Sequence, residues 1–176
     1  MFIDPVSLVS QFGILPGMHI ADIGTGSGTY ALAAATLVGP KGKVYACDVQ
    51  RGLVDRLRKE AEARNLTNFS CIWADAERKG GTKLADAVLD ATIVANVLFQ
   101  AEDKEAFLRE LSRVVKPEGR VFFIDWADTE DPLGPKTASL VLPEAVLALF
   151  GKYGFTKERE LDAGSHHYGF VFIKKK

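Results

Sequence analysis

The run Asp22-Ile23-Gly24-Thr25-Gly26-Ser27-Gly28 constrains the fold more than any other part of the chain. It follows an apolar strand-like segment, His19–Ile23, and precedes an alanine-rich helical segment over 30–38. Strand, glycine turn and helix together make a nucleotide-binding unit. The glycines let the backbone turn sharply and approach a ligand closely. The start of the following helix offers N–H groups that have no partner within the helix. Asp48 closes the next predicted strand about 20 residues past Gly28, where such units place a carboxylate against ribose hydroxyls.

Beyond this unit, strand-like and helical segments alternate, the pattern of a parallel sheet covered by helices. Asp4 and Pro5 read as the N-cap and first residue of a short helix stopped by Gly13. Strands are expected over 19–23, 43–48, 69–73, 90–95 and 120–126, and helices over 30–38, 50–64 and 103–115. The segment 77–87 reads as loop with one helical turn at most. The turn Lys116-Pro117-Glu118-Gly119 ends the third of these helices, and 127–136, with two prolines and a glycine, reads as a polar loop. A helix over 143–153 and two strands over 155–161 and 168–174 follow. Only Asp162 to His167 join those strands, too few for a helical crossover, so they form an antiparallel hairpin. The chain thus reads as one domain over 1–176: a short helix in 1–14, a cofactor-binding half in 15–127, and a helix plus hairpin in 128–176.

The 176 residues suffice for one sizeable core. With a formal net charge of −1, the chain lacks the overall basic footprint of a nucleic-acid or anionic-membrane binder. The local cluster Lys174-Lys175-Lys176 reads as a solvated tail. No apolar run has the length of a membrane span, and Met1-Phe2-Ile3-Asp4 does not open a secretory signal, so a cytoplasmic location is expected. Cys47 and Cys71 fall within predicted buried strands without metal-ligand spacing. They read as small core residues in a reduced compartment, and no metal is expected.

Two ligand classes use a glycine turn of this kind. Dinucleotide enzymes prefer G-x-G-x-x-G, the third glycine permitting close helix–strand packing. Here that position is Thr29, and the pattern is G-x-G-x-G. A pyrophosphate is an anion, which Asp22 would repel. A ligand carrying an amino group and a sulfonium suits Asp22, which points to S-adenosylmethionine. A nicotinamide-dependent oxidoreductase is the lesser alternative.

On these residues the sequence resembles the class I S-adenosylmethionine-dependent methyltransferases over about Asp4 to Lys174. The closest flavour is the small-molecule branch similar to menaquinone and ubiquinone methyltransferases. The family's acidic-x-G-x-G-x-G motif stands as Asp22 to Gly28. Its acid ending strand two is Asp48, and its acid after strand three is Asp75 in Ala74-Asp75-Ala76. Its strand-four motif is Asp90 to Leu98. Its L-K-P-G-G turn is Val115-Lys116-Pro117-Glu118-Gly119, with Glu118 replacing the first glycine. The resemblance implies an α/β, Rossmann-like three-layer sandwich whose seven-stranded sheet has the order 3-2-1-4-5-7-6, with strand seven antiparallel.

It also implies roles. Gly24, Thr25, Gly26 and Gly28 form the cofactor loop, with Gly24 and Gly26 near the methionine half. Asp22 orders the loop near the amino group. Asp48 accepts the ribose hydroxyls and Val49 packs on the adenine. Asp75 and the Ala76 backbone read the adenine edge, and Asn96 sits beside the sulfonium. Asp90 is read as structural.

Methyl transfer from a sulfonium needs mainly positioning. A base is needed only for an acceptor that carries a proton, and Asp125, His166 and His167 are the candidates at the carboxyl ends of the strands. Trp126 could stack on an aromatic acceptor. The ending Asn96-Val97-Leu98-Phe99 is not N-P-P-Y, which disfavours amino methylation of adenine or glutamine. Two buried cysteines do not supply an arsenite site. The expected partner is a small-molecule acceptor, at a site that is either open or closed by a partner chain, as in a homodimer. The competing reading is a protein that binds S-adenosylmethionine as a partner subunit or sensor without turnover.

Overall fold

The computed structural model of the chain describes residues 4–127 and 139–176. Helix α1 is Pro5–Ser10, and the Asp4 carboxylate accepts from the Ser7 amide at 3.0 Å, satisfying one of the first-turn donors. Gly13, at φ +70, turns the chain toward strand β1, His19–Ile23. Then follow α2 (Thr29–Val38), β2 (Lys43–Asp48), α3 (Arg51–Ala63), β3 (Phe69–Trp73) and β4 (Leu89–Ala95). A 3-10 turn, Leu98–Gln100, leads to α4 (Lys104–Val114), capped by Asp103 through the Ala106 amide at 2.8 Å. The rest comprises β5 (Val115–Trp126), α5 (Pro143–Lys152), β6 (Phe155–Leu161) and β7 (His167–Lys174).

The seven strands form one sheet of order β3-β2-β1-β4-β5-β7-β6. The first five are parallel, and β7 pairs antiparallel with both β5 and β6. Because a strand's side chains alternate between faces, Phe122 and Ile124 of β5 enter one core while Val121 and Phe123 enter the other. The first core holds Leu8, Ala31, Ala34 and Leu57 from α1 to α3; the second holds Leu108, Leu111, Val146 and Phe150 from α4 and α5. Stacked rings sit in both: Phe12 on Phe122 with centroids 4.5 Å apart, and Phe150 on Phe172 at 4.0 Å.

Two local expectations change. First, β5 begins at Val115, not Arg120. Leu89 pairs with Val115 but Ala91 with Arg120, so the Lys116–Gly119 turn bulges out of a continuing ladder, with Glu118 at φ +63. Second, the Lys174 ammonium donates to the carbonyls of Ser112 and Val115, the latter at 2.9 Å. It is thus a cap for the end of α4 and not part of a solvated tail. The segment 77–87, expected as loop, contains turns and no helix. The polar loop expected over 127–136 lies, beyond Ala127, outside the described residues.

Edge protection is visible on β3. Arg58 donates to the carbonyl of Cys71 at 3.4 Å and Lys83 to that of Trp73 at 2.6 Å, so cations cover the acceptors that an edge strand exposes.

Candidate functional site

At the carboxyl end of β1 the chain makes three consecutive glycine-assisted bends: Gly24, Gly26 and Gly28 have φ of +77, +53 and +83. The amides of Gly24 and Thr25 both donate to the Cys47 carbonyl, at 2.8 and 3.0 Å, docking the loop on β2. Asp48 fastens its tip. One carboxylate oxygen accepts from the Gly26 amide and the other from the Gln50 amide, each at 2.9 Å. Each oxygen keeps a second lone pair for a ligand hydroxyl. Asp22, 1% exposed, accepts from the Thr25 hydroxyl at 2.7 Å.

Above this loop lies a cavity of about 670 Å³. Of the expected cofactor residues, Asp22, Gly24, Thr25, Gly26, Asp48, Val49, Asp75, Ala76 and Asn96 all line it. Gly28 does not. Its reason is packing: a Cβ there would stand 2.4 Å from Leu57 Cδ1, so this glycine lets α3 close on the start of α2.

Asp75 sits in an Asx turn, accepting from the Glu77 amide at 3.0 Å, and its other oxygen pairs with Arg78 at 2.8 Å. Asn96 has φ +55. Its carbonyl accepts from the Gln100 side chain at 2.8 Å, while its side-chain oxygen is buried with no donor among the described residues.

The candidate bases part company. His167 lines the cavity and its ring packs on Trp126, with centroids 4.2 Å apart. His166 is absent from the lining, and its carbonyl accepts from the Ala127 amide at 2.8 Å. Asp125 is also absent. It is 1% exposed and accepts from the amides of Phe99 at 3.2 Å and Trp126 at 2.9 Å. Asp125 therefore braces the 3-10 turn behind Asn96.

Burial pushes the Asp22 carboxyl up to about 7 and that of Asp125 up to about 6. Burial, aided by Asp22 and Asp48, holds the Cys47 thiol up at about 12, so it is no thiolate at neutral pH. Asp90 is structural as expected, accepting from the His19 amide at 2.8 Å and Lys116 at 2.6 Å.

Sequence reasoning missed several wall residues. Leu8 of α1, Tyr30, Thr82 and Gln100 all face the cavity. It also missed Glu110, a carboxylate 1% exposed on the apolar face of α4. The signal for Glu110 existed: an acid among Phe107, Leu111 and Val114, at the three- and four-residue spacing of a buried stripe.

A glycine turn at the head of a parallel sheet, fastened by the acid of the next strand, with an antiparallel strand inserted near the far edge, defines a class I methyltransferase fold. Residues 14–145 match the family model described as a methyltransferase domain. The ubiquinone/menaquinone biosynthesis C-methyltransferase UbiE of Cupriavidus necator is 32% identical over 125 residues, 71% of this chain and 50% of that protein. The protein of that name from Shewanella sp. strain ANA-3 is 30% identical over 137 residues, 75% of this chain and 53% of its own. The chain spans about half the length of the curated relatives it matches. The crystal structure of a SAM dependent methyltransferase from Aquifex aeolicus superimposes with TM-score 0.88 at 28% identity, covering 98% of this chain and 90% of that one. The chain belongs to the class I methyltransferase family.

Proposed function

We propose that this chain binds S-adenosylmethionine and directs methyl transfer to a small-molecule acceptor. One observation carries the choice of ligand. The cavity is lined by four carboxylates, Asp22, Asp48, Asp75 and Glu77, and by no lysine or arginine among the described residues. That environment suits an ammonium and a sulfonium and opposes a pyrophosphate. The acidic wall and the buried Asn96 oxygen fit such a ligand. The Aquifex aeolicus structure is that of a SAM dependent methyltransferase, which supports the same reading.

When bound, S-adenosylmethionine supplies an activated methyl group and its own leaving group. This chain's residues position it. Asp22 and the loop from Gly24 to Gly26 hold the amino-acid half, Asp48 accepts the ribose hydroxyls, Val49 covers the adenine face, and Asp75 with Ala76 reads its edge. Asn96, Gln100, Trp126 and His167, which also line the cavity, would surround the reacting centre. His167 is the candidate to take a proton from the acceptor, since it lines the cavity as His166 and Asp125 do not. Asp125 holds the turn that presents Asn96.

Calorimetry with S-adenosylmethionine, S-adenosylhomocysteine and NAD tests the ligand. Binding of both adenosyl ligands without NAD is expected, and NAD binding alone would sink the proposal. Release of S-adenosylhomocysteine with a panel of phenols, quinols, amines and thiols then separates an enzyme from a binding partner or sensor.

A further inference from the structure

The loop between β3 and β4 is where the adenine edge would be read, through Asp75 and Ala76. What fixes that loop comes from elsewhere. Glu110, on the second turn of α4, does not line the cavity. Yet its carboxylate accepts from the Gly80 amide at 2.8 Å, the Thr82 amide at 3.1 Å and the Thr82 hydroxyl at 2.5 Å. Arg113, one turn on, donates twice to the same carboxylate, at 2.9 and 2.6 Å, and also to the Leu84 carbonyl at 2.9 Å. These five donors hold Glu110 ionised despite its burial and keep its carboxyl near 2.

The tie is transmitted to Asp75 by a tight fold of the loop on itself. The Asp75 amide donates to the Gly81 carbonyl at 3.2 Å, and a Cβ at Gly81 would stand 1.9 Å from the Asp75 carbonyl. Gly80 and Thr82, the two residues that Glu110 grips, flank Gly81. A second tie binds the loop to the start of α4, where the Asp103 amide donates to the Glu77 carboxylate at 2.5 Å. The outer end is fastened separately: Lys83 bonds the Trp73 carbonyl, and the Trp73 indole N–H donates to the Val49 carbonyl at 2.9 Å.

A buried carboxylate with five donors is more than a polar loop needs to stay attached. A carboxylate such as Asp75 discriminates by accepting a hydrogen bond only if its position is fixed within a few tenths of an ångström. We propose that Glu110 is the positioning residue for adenine recognition: without touching the ligand, it sets the discrimination made by Asp75. This rests on the cofactor reading above.

The test compares S-adenosylhomocysteine with its inosine counterpart, in which oxygen replaces the adenine amino group. Wild type favours the adenosine form by about tenfold or more, the worth of one hydrogen bond to a charged group. In Glu110→Gln, measured well below its melting temperature, the preference falls toward unity through loss of the adenosine form's affinity. Thr82→Val, which removes only one of the five donors, moves the ratio the same way by a smaller factor and serves if Glu110→Gln does not fold. A merely structural role would lower stability and leave the ratio intact. Wild type binding neither ligand overturns the cofactor reading and this inference with it. Wild-type discrimination that persists in both variants overturns this inference alone.

Discussion

Asp22 is the residue whose chemistry most depends on the ligand. Its carboxyl is raised from 3.8 to about 7 because burial removes water from the charged form, although the Thr25 hydroxyl pulls it back. Asp125 is raised from 3.8 to about 6 for the same first reason. Both are neutral more readily in the folded chain than in the unfolded one. Their contribution to stability is therefore complete below pH 3.8 and is lost as pH rises through about 6 and 7. The melting temperature of the ligand-free protein should fall from pH 5 to pH 8, and Asp22→Asn should flatten part of that fall. A positive amino group beside Asp22 favours its ionised form. Binding of S-adenosylhomocysteine at pH 6 should then release a proton, seen as binding enthalpies that differ between buffers of different ionisation enthalpy. Equal enthalpies would remove Asp22 from contact with the amino group. At Glu118 the backbone adopts φ +63, which costs an ordinary residue but not glycine. Glu118→Gly should raise the urea-unfolding free energy by about 0.5–1 kcal/mol, the αL cost less the entropy of a freer unfolded chain.

Among elements, the glycine loop acts as a seam. A Cβ on Gly24 would stand 2.4 Å from Val97 Cγ2, so this glycine lets the loop after β1 meet the segment after β4. Gly24→Ala should cost about 1–3 kcal/mol by overpacking and weaken cofactor affinity too, measured by unfolding and calorimetry on the same variant. A different seam joins α1 to the hairpin. The Gln11 side chain donates to the Asp162 carbonyl and accepts from the Asp162 amide, both at 3.0 Å. Since Leu8 and Ala163 wall the cavity from either side of this pair, Gln11→Ala should speed hydrogen exchange in both α1 and 162–167.

Much at this scale was legible in the sequence. The boundaries of β1, β2 and β3 follow from apolar runs bounded by turn residues, and the hairpin from its short connection. What escaped was set by contacts distant in sequence. Glu110 gains its meaning from Gly80 and Thr82. Gly28 gains its meaning from Leu57, and Asp125 from Phe99. The motif named Gly28 as part of a ligand loop, but no local pattern distinguishes a glycine that touches ligand from one that admits a neighbouring helix.

The whole molecule gains stability from whatever fills its cavity. At a ligand concentration one hundred times Kd, the gain is about 2.7 kcal/mol, which for a chain of this size raises Tm by roughly 5–10 °C. S-adenosylhomocysteine should produce that shift in a thermal melt, and a concentration-independent Tm would contradict specific binding. The position of β7 bears on how the protein is made. The last strand in sequence lies between β5 and β6, where it pairs with both. As the chain leaves the ribosome, β5 can join β4, but its other edge stays bare, with the large rings of Phe122 and Phe123 beside it. Nothing synthesised before His167 belongs at that edge. The nascent protein thus carries an unpaired apolar strand until β7 emerges, and that interval is when it most needs protection from pairing with a neighbour.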